Sequence, residues 1–309
     1  MCYFASFLKN VFVSLDVLSW FRLYYNMQRY DFFITYSIST YYNLQILSRF
    51  AVKNNINLLQ HEINRSVSAL LMTVMSDIFR FRQFEIDQEM CAMKVGTDSV
   101  LLGAWSYGGR QVLDIGCGTG IISLMIAQRY PDADITAIDI VDDCCRQTRI
   151  NADKTEWGGR IHTVCKSLQD YVAERAGKVK FDAIVSNPPF FVDSMKNPDS
   201  FRTLARHTDS LPFSSLANGV NRLLTDDGTF SVILAEECFK QFVDEAWFSG
   251  LYLAEDIAFK AKVGKPVKRH LMKFVKDRTV VLSCSTHILQ NEDGTKSEWY
   301  KKLVDDFYL

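Results

Sequence analysis

The chain has 309 residues, 48% hydrophobic and 23% charged, with a formal net charge of -1. That composition supports one sizeable buried core and excludes a disordered or fibrous protein. Near-neutrality removes any overall basic field, so a polyanionic partner has to be met by a local patch. The eight cysteines, including the adjacent Cys144-Cys145, form no C-x-x-C pair and no Cys/His cluster at zinc spacing. No metal is therefore expected, and reduced thiols in a cytoplasm are the simplest account. No run of about 18 uninterrupted apolar residues predicts a membrane span. Lys9, Asp16 and Arg22 interrupt the apolar N-terminus and no small-residue cleavage site follows, a poor fit to a secretory signal.

Residues 1–74 contain no Gly and no Pro, and the first glycine of the chain is Gly96. The segment is crowded with Tyr, Phe, Leu, Ser and Asn and lacks helix punctuation and turn chemistry. Two readings stand side by side: an apolar helical extension, or translation assigned to begin too far upstream of a start at Met72 or Met75. Composition favours the second. It requires that a chain begun at Met75 fold and act as the whole does.

From Arg110 the pattern reads as alternating strand and helix. Gln111 to Ile115 predicts a strand, Ile121 to Arg129 an amphipathic helix, Asp134 to Ile138 a second strand and Arg160 to Cys165 a third. Such alternation implies a parallel sheet with helices on both faces. Between the first strand and helix lies Gly116-Cys117-Gly118-Thr119-Gly120, whose glycines permit a tight turn and close backbone approach to a ligand. The G-x-G-x-G spacing lacks the wider step of a dinucleotide fingerprint, which weighs against a pyrophosphate. Asp139 ends the second strand about twenty residues on, where a carboxylate can accept both ribose hydroxyls of a nucleoside. Asp114 precedes the loop, as a strand-end cap or as a ligand for the loop backbone or a cofactor ammonium. Asp170 lies where it can meet an adenine amino group, or it is a solvated loop carboxylate. The arrangement looks like a site for S-adenosylmethionine (SAM).

Phe181 to Ser186 predicts another strand, followed directly by Asn187-Pro188-Pro189-Phe190. Alone, the tetrapeptide is a turn. After a nucleoside loop it gains a chemical reading. Asn187 Oδ1 and the Pro188 carbonyl are two acceptors able to hold both N–H groups of a heteroaromatic amine, whose lone pair is otherwise delocalised into its ring. Proline stiffens the loop carrying that carbonyl. Phe190, with Phe191, offers a face on which a planar base or amide can stack. Further on, Gly228 to Ala235, Tyr252 to Phe259 and Leu271 to Ser283 predict strands, with helices near Leu211 to Leu224 and Glu236 to Phe248. Lys260, Lys262, Lys265, Lys268, Arg269, Lys273, Lys276 and Arg278 crowd one stretch with Asp277 as its only acid. The run is a phosphate-binding patch or a strand edge protected by lysines. Arg202, Arg206 and His207 follow the tetrapeptide closely enough to reach phosphates, or are surface charges.

The glycine loop and the Asn-Pro-Pro-Phe run together resemble the class I SAM-dependent methyltransferases, and the tetrapeptide is similar to the catalytic tetrad of their N6-adenine and N5-glutamine branches. Phe79-Arg80-Phe81-Arg82-Gln83-Phe84, followed by Cys91 to Trp105 (Cys-Ala-Met-Lys-Val-Gly-Thr-Asp-Ser-Val-Leu-Leu-Gly-Ala-Trp), resembles the N-terminal signature of bacterial tRNA1(Val) (adenine(37)-N6)-methyltransferases. The resemblance runs from about Met75 to near the C-terminus. It departs at Ser99, where the family pattern leads to an expected glycine.

The resemblance implies a Rossmann-like α/β fold: a seven-stranded sheet, helices on both faces, last strand antiparallel. It implies a cap of the cofactor site over 75–109, a methyltransferase domain over 110–285 and a C-terminal tail over 286–309. Lys94, Gly96, Thr97 and Asp98 would close over the methionine end of SAM. Gly116, Gly118, Gly120 and Asp139 would bind its nucleoside, and Asn187, Pro188, Pro189 and Phe190 would hold an adenine of a tRNA anticodon loop. Phe191, Arg206, Lys265 and Arg269 are the expected substrate contacts. A monomer without metal is expected. The rival readings are a protein-glutamine N5-methyltransferase, whose tetrad typically ends in Tyr and which lacks the Lys94 to Trp105 segment, another N6-adenine RNA or DNA methyltransferase, and a SAM-binding module without catalysis.

Overall fold

The computed structural model describes residues 78–189 and 211–309. The chain divides into two units between Ser76 and Asp77, and everything described belongs to the second. A short antiparallel hairpin of β1 (Ile78–Arg80) and β2 (Glu85–Asp87) comes first, then helix α1 (Thr97–Trp105). Strand and helix next alternate through β3 (Gln111–Ile115), α2 (Ile121–Arg129), β4 (Asp134–Asp139), α3 (Asp142–Asp153), β5 (Ile161–Cys165), α4 (Leu168–Arg175) and β6 (Phe181–Ser186). Beyond residue 210 come α5 (Phe213–Leu223), β7 (Leu224–Ala235), α6 (Glu236–Phe248), β8 (Tyr252–Lys262), β9 (Val267–Val275), β10 (Ser283–Gln290) and α7 (Glu298–Val304).

The main sheet has eight strands in the order β10-β8-β9-β7-β6-β3-β4-β5. The five strands from β3 to β7 are mutually parallel, β9 runs against both β7 and β8, and β10 pairs parallel with β8. Parallel strands covered on both faces read as near-continuous apolar runs, which is why Val112 to Ile115 and Ala183 to Val185 carry so little polar alternation.

Successive residues still serve opposite faces. Val112, Ala183 and Val185 join the core under α1, α2 and α7. Leu113, Ile115 and Ile184 join the core under α4, α5 and α6. The result is three layers, helix on sheet on helix, and among the described residues no helix is long and apolar enough to cross a membrane.

The sheet departs from the seven strands expected. The stretch Leu271 to Ser283 is two strands broken by a turn, in which Asp277 accepts from the Thr279 N–H at 2.8 Å. β10 then covers the edge that β8 would otherwise expose. Residues 286–309 therefore finish β10 and form α7, instead of trailing as a tail. Ser297 caps α7 by accepting from the Tyr300 N–H at 3.1 Å, and Tyr300, Val304 and Phe307 are buried in the core beside α1. The two ends of the unit meet there, the Arg82 N–H donating to the Phe307 carbonyl at 2.7 Å.

Candidate active site

β3 and β6 are neighbours in parallel register, with Ile115 opposite Ser186. Ser186 Oγ donates to the Ile115 carbonyl at 2.9 Å. Each strand ends at that pair, so Gly116 and Asn187, the next residues, leave the sheet side by side. This is also where the strand order reverses, β4 lying on one side of β3 and β6 on the other. Ligands of open α/β sheets bind at the carboxyl ends of the strands at that point.

The glycine loop is built for close approach. Gly116, Gly118 and Gly120 have φ of 75°, 55° and 80°, a left-handed region that costs glycine nothing. A Cβ at Gly116 or Gly118 would meet nothing within 4 Å, whereas one at Gly120 would press Thr148 Cγ2 at 2.9 Å. The first two glycines thus border open space and the third packs against α3. The Gly116 and Cys117 N–H groups donate to the Ile138 carbonyl at 2.8 and 3.0 Å, tying the turn to β4.

Asp114 and Asp139 flank the loop, and Asp170 lies apart from it at the start of α4. Asp114 is fully buried; its Oδ2 accepts from Ser123 Oγ at 2.7 Å while Oδ1 has no partner. Burial pushes its pKa up to about 7 against the pull of the Ser123 bond, and the nearby Asp139 charge adds to the rise. Asp139 closes β4 with Oδ2 on the Gly118 N–H and Oδ1 on the Val141 N–H, both at 2.9 Å. Burial raises its pKa too, against the backbone donors that favour the charged form. An ionised carboxylate has about four acceptor positions, so two bonds leave Asp139 capacity toward a ligand. Asp170 sits in the first turn of α4 in a reciprocal cap: its N–H donates to Ser167 Oγ at 3.1 Å and its Oδ2 accepts from that hydroxyl at 2.6 Å.

The first turn of α1 is tied to the acceptor side of the site, and the segment ahead of it is tied to itself. Lys94 Nζ donates to the Gln88 carbonyl at 2.7 Å and Gly96 forms the N-terminal cap of α1. In the first turn, Asp98 pairs with Arg269 of β9 at 2.8 Å, and Ser99 Oγ accepts from Asn187 Nδ2 at 3.0 Å. Asn187 is half-buried, Pro188 buried and Pro189 exposed.

The pattern of the Methyltransferase small domain family matches residues 95–211. A tRNA1(Val) (adenine(37)-N6)-methyltransferase of Bacteroides fragilis is 40% identical over 239 residues, covering 75% of this chain and 97% of the relative. One of Phocaeicola vulgatus is 42% identical over the same shares. The chain belongs to the tRNA1(Val) (adenine(37)-N6)-methyltransferase family. A relative from Trichodesmium erythraeum, 39% identical with the same shares, carries the same name. Among solved structures, a predicted O-methyltransferase of Agrobacterium tumefaciens superposes with a TM-score of 0.55 at 16% identity, covering 68% of this chain and 96% of its own. That likeness shows the class I methyltransferase fold.

Family membership gives the basic run of β8 and β9 its interest, and the fold splits that run. β8 is oriented as β7 is, so Lys260, Lys262, the hairpin turn with Lys265, and Lys268 and Arg269 of β9 stand at the same sheet edge as Gly116 and Asn187. Lys273 lies mid-strand beside Glu255 at 3.7 Å and over the Tyr107 ring at 4.1 Å. Lys276 is at the opposite edge, donating to the Leu224 carbonyl at 2.8 Å, and Arg278 follows it. The eight cations expected as one patch are therefore split, five at the edge with Gly116 and Asn187, two at the opposite edge and Lys273 between them.

Phe190, Phe191, Arg202, Arg206, His207 and the 1–74 segment lie outside the described residues. Sequence reading missed Ser123, Thr148 and Asn151, all buried polar side chains bonded to Asp114 or to the loop. Ser123 is a lone polar residue in the apolar run of α2, and Thr148 and Asn151 lie one turn apart on the buried face of α3, a pattern that does not identify their partners. Cys117, in the loop, is buried, and burial holds its thiol well above the usual range, which disfavours the thiolate. Among the described residues no group of three or more His, Cys, Asp or Glu side chains is placed to hold a metal.

Proposed function

We propose that this chain transfers a methyl group from SAM to the N6 amino group of adenine-37 in the anticodon loop of tRNA1(Val). The observation that carries the reading is the adjacency of Gly116 and Asn187, fixed by the Ile115–Ser186 register. It sets a ligand cradle and a pair of amine acceptors next to each other, and holding two reactants aligned and close is the main source of gain in such a transfer.

The residues present fit the donor. Open space beside Gly116 and Gly118 admits the cofactor against the backbone, Asp139 has acceptor capacity for ribose hydroxyls, and the unpartnered Asp114 Oδ1 suits a cationic ammonium. When bound, SAM supplies a methyl made electrophilic by its sulfonium. The protein's work is orientation: Asn187 Oδ1 and the Pro188 carbonyl accept the two N6 protons, which favours a tetrahedral nitrogen with its lone pair free. Phe190 stacks the base. The proton leaves after attack, so no general base is needed beforehand.

Lys260, Lys262, Lys265 and Lys268 contact phosphates of the loop that presents the adenine. An anticodon-loop base can be splayed out at a cost of about a few kcal/mol, less than a paired base would demand.

Incubation of the full chain with methyl-labelled SAM and, separately, tRNA1(Val) and release factor tests the reading. Label recovered from tRNA as N6-methyladenosine is expected. Label on release factor, or on neither, overturns it.

A further inference from the structure

The glycine loop and the 87–95 segment, distant in sequence, share one buried side chain. Asn151 of α3 is fully shielded from solvent. Its Nδ2 donates to the carbonyls of Thr119 and Asp87, both at 2.8 Å, and its Oδ1 accepts from the Asp87 N–H at 2.9 Å. Both amide protons are engaged, each to backbone. On the same face of α3, Thr148 Oγ1 donates to the Gly118 carbonyl at 3.0 Å and Gln147 Oε1 accepts from the Met90 N–H at 3.0 Å.

Two consecutive loop carbonyls, Gly118 and Thr119, are thus turned onto α3. Because the peptide unit is planar and trans, the Thr119 N–H on the far side of the first carbonyl is turned away from α3. Glycines have little backbone preference of their own, so the shape of this loop depends on such ties. Asn is a poor residue for a helix interior, and helix stability gives no reason for it at this position.

We propose that Asn151 is a positioning residue of the cofactor site, joining the 87–95 segment to the glycine loop so that a ligand bound at the loop orders both. The inference rests on the reading of the loop as the SAM site. Its carboxamide touches no ligand; it acts through Thr119 on one side and Asp87 on the other. Asn151 is fully shielded from bulk solvent, so its loss leaves buried backbone groups without their partner, a costly state.

The test compares full-length wild type with Asn151→Ala by three readouts: SAM dissociation constant from calorimetry, KM for SAM against kcat, and amide hydrogen exchange of peptides spanning 85–96 and 116–120. The expected result is a dissociation constant and KM for SAM raised about tenfold or more, from the loss of buried bonds to Thr119 and Asp87, with a smaller fall in kcat. SAM should slow exchange in both segments of wild type and only in 116–120 of the variant. A merely structural role would lower the active fraction and leave the dissociation constant unchanged. Should Asn151→Ala fail to fold by circular dichroism, Gln147→Leu removes only the bond to Met90 and is expected to weaken SAM about threefold. A dissociation constant within twofold of wild type in the folded variant, or exchange protection of 85–96 retained there, overturns the inference. Wild type that binds no SAM removes the underlying reading, an outcome distinct from a wild type and variant that bind alike.

Discussion

Asn187 Nδ2 donates to Ser99 Oγ at 3.0 Å, joining the acceptor loop after β6 to the first turn of α1. The bond fixes which end of the carboxamide faces away from α1, leaving Asn187 Oδ1 to accept an amine proton.

Two substitutions follow from that bond. Asn187→Ala removes the acceptor and is expected to lower kcat about a hundred- to a thousandfold while SAM affinity stays close to wild type. Ser99→Ala frees the carboxamide to rotate and should cost about fivefold in kcat, roughly one net hydrogen bond. Single-turnover transfer with saturating SAM reads both. Full activity in Asn187→Ala removes this residue from the mechanism.

Asp114 is expected to make stability depend on pH. Its folded pKa of about 7 lies above the ordinary carboxylate value, so the folded state carries a penalty for ionisation. The penalty is fully present above pH 7 and fades as pH falls toward the unfolded value. Asp114→Asn should therefore raise the melting temperature by a few degrees at pH 8, with a gain that shrinks by pH 5. A gain independent of pH would refute the assignment.

His270 predicts a dependence from the opposite cause. It is 6% exposed and lies between Asp256 at 2.8 Å and Glu236 at 2.7 Å, with the Phe239 ring 4.3 Å away. Burial pulls its pKa down, but bonds and charges from Asp256 and Glu236 outweigh it, and the net value is raised. The stability it contributes is fully present below the ordinary histidine value and is lost as pH rises through the higher folded value. Thermal melts should show the largest deficit of His270→Gln at pH 6 and a smaller one at pH 9.

The two groups of cations should behave differently. Lys265→Glu and Lys268→Glu, at the edge with Asn187, are expected to raise KM for tRNA severalfold and to lower its salt dependence. Arg278→Ser, at the opposite edge, should leave KM for tRNA unchanged. Initial rates across tRNA concentrations at two ionic strengths decide this. Equal effects from all three would mean that the edge assignment is mistaken.

Much of this site is readable in one dimension because the chemistry is concentrated at strand ends. Gln111 to Ile115, Ile121 to Arg129 and Phe181 to Ser186 are bounded by glycine, proline or charge, and the structure has those elements at those residues. The C-terminal part is less legible. Lys276 to Leu282 joins two strands that pair with opposite sides of β8, a choice made by the whole sheet and not by local propensity. The basic run is divided because β9 crosses the sheet between Lys268 and Lys276, carrying the chain from one edge to the other. Asn151 escaped notice because a buried asparagine looks like any polar residue of α3 until its partners, 32 and 64 residues away, are known.

The most direct measurement is nucleoside-resolved mass spectrometry of tRNA1(Val) after incubation with SAM and the full chain, with a tRNA carrying guanine at position 37 and the Asn187→Ala protein in parallel. The account predicts one N6-methyladenosine at position 37, absent from both controls. Methylation that persists in the guanine-37 tRNA, or that proceeds undiminished with Asn187→Ala, would contradict it.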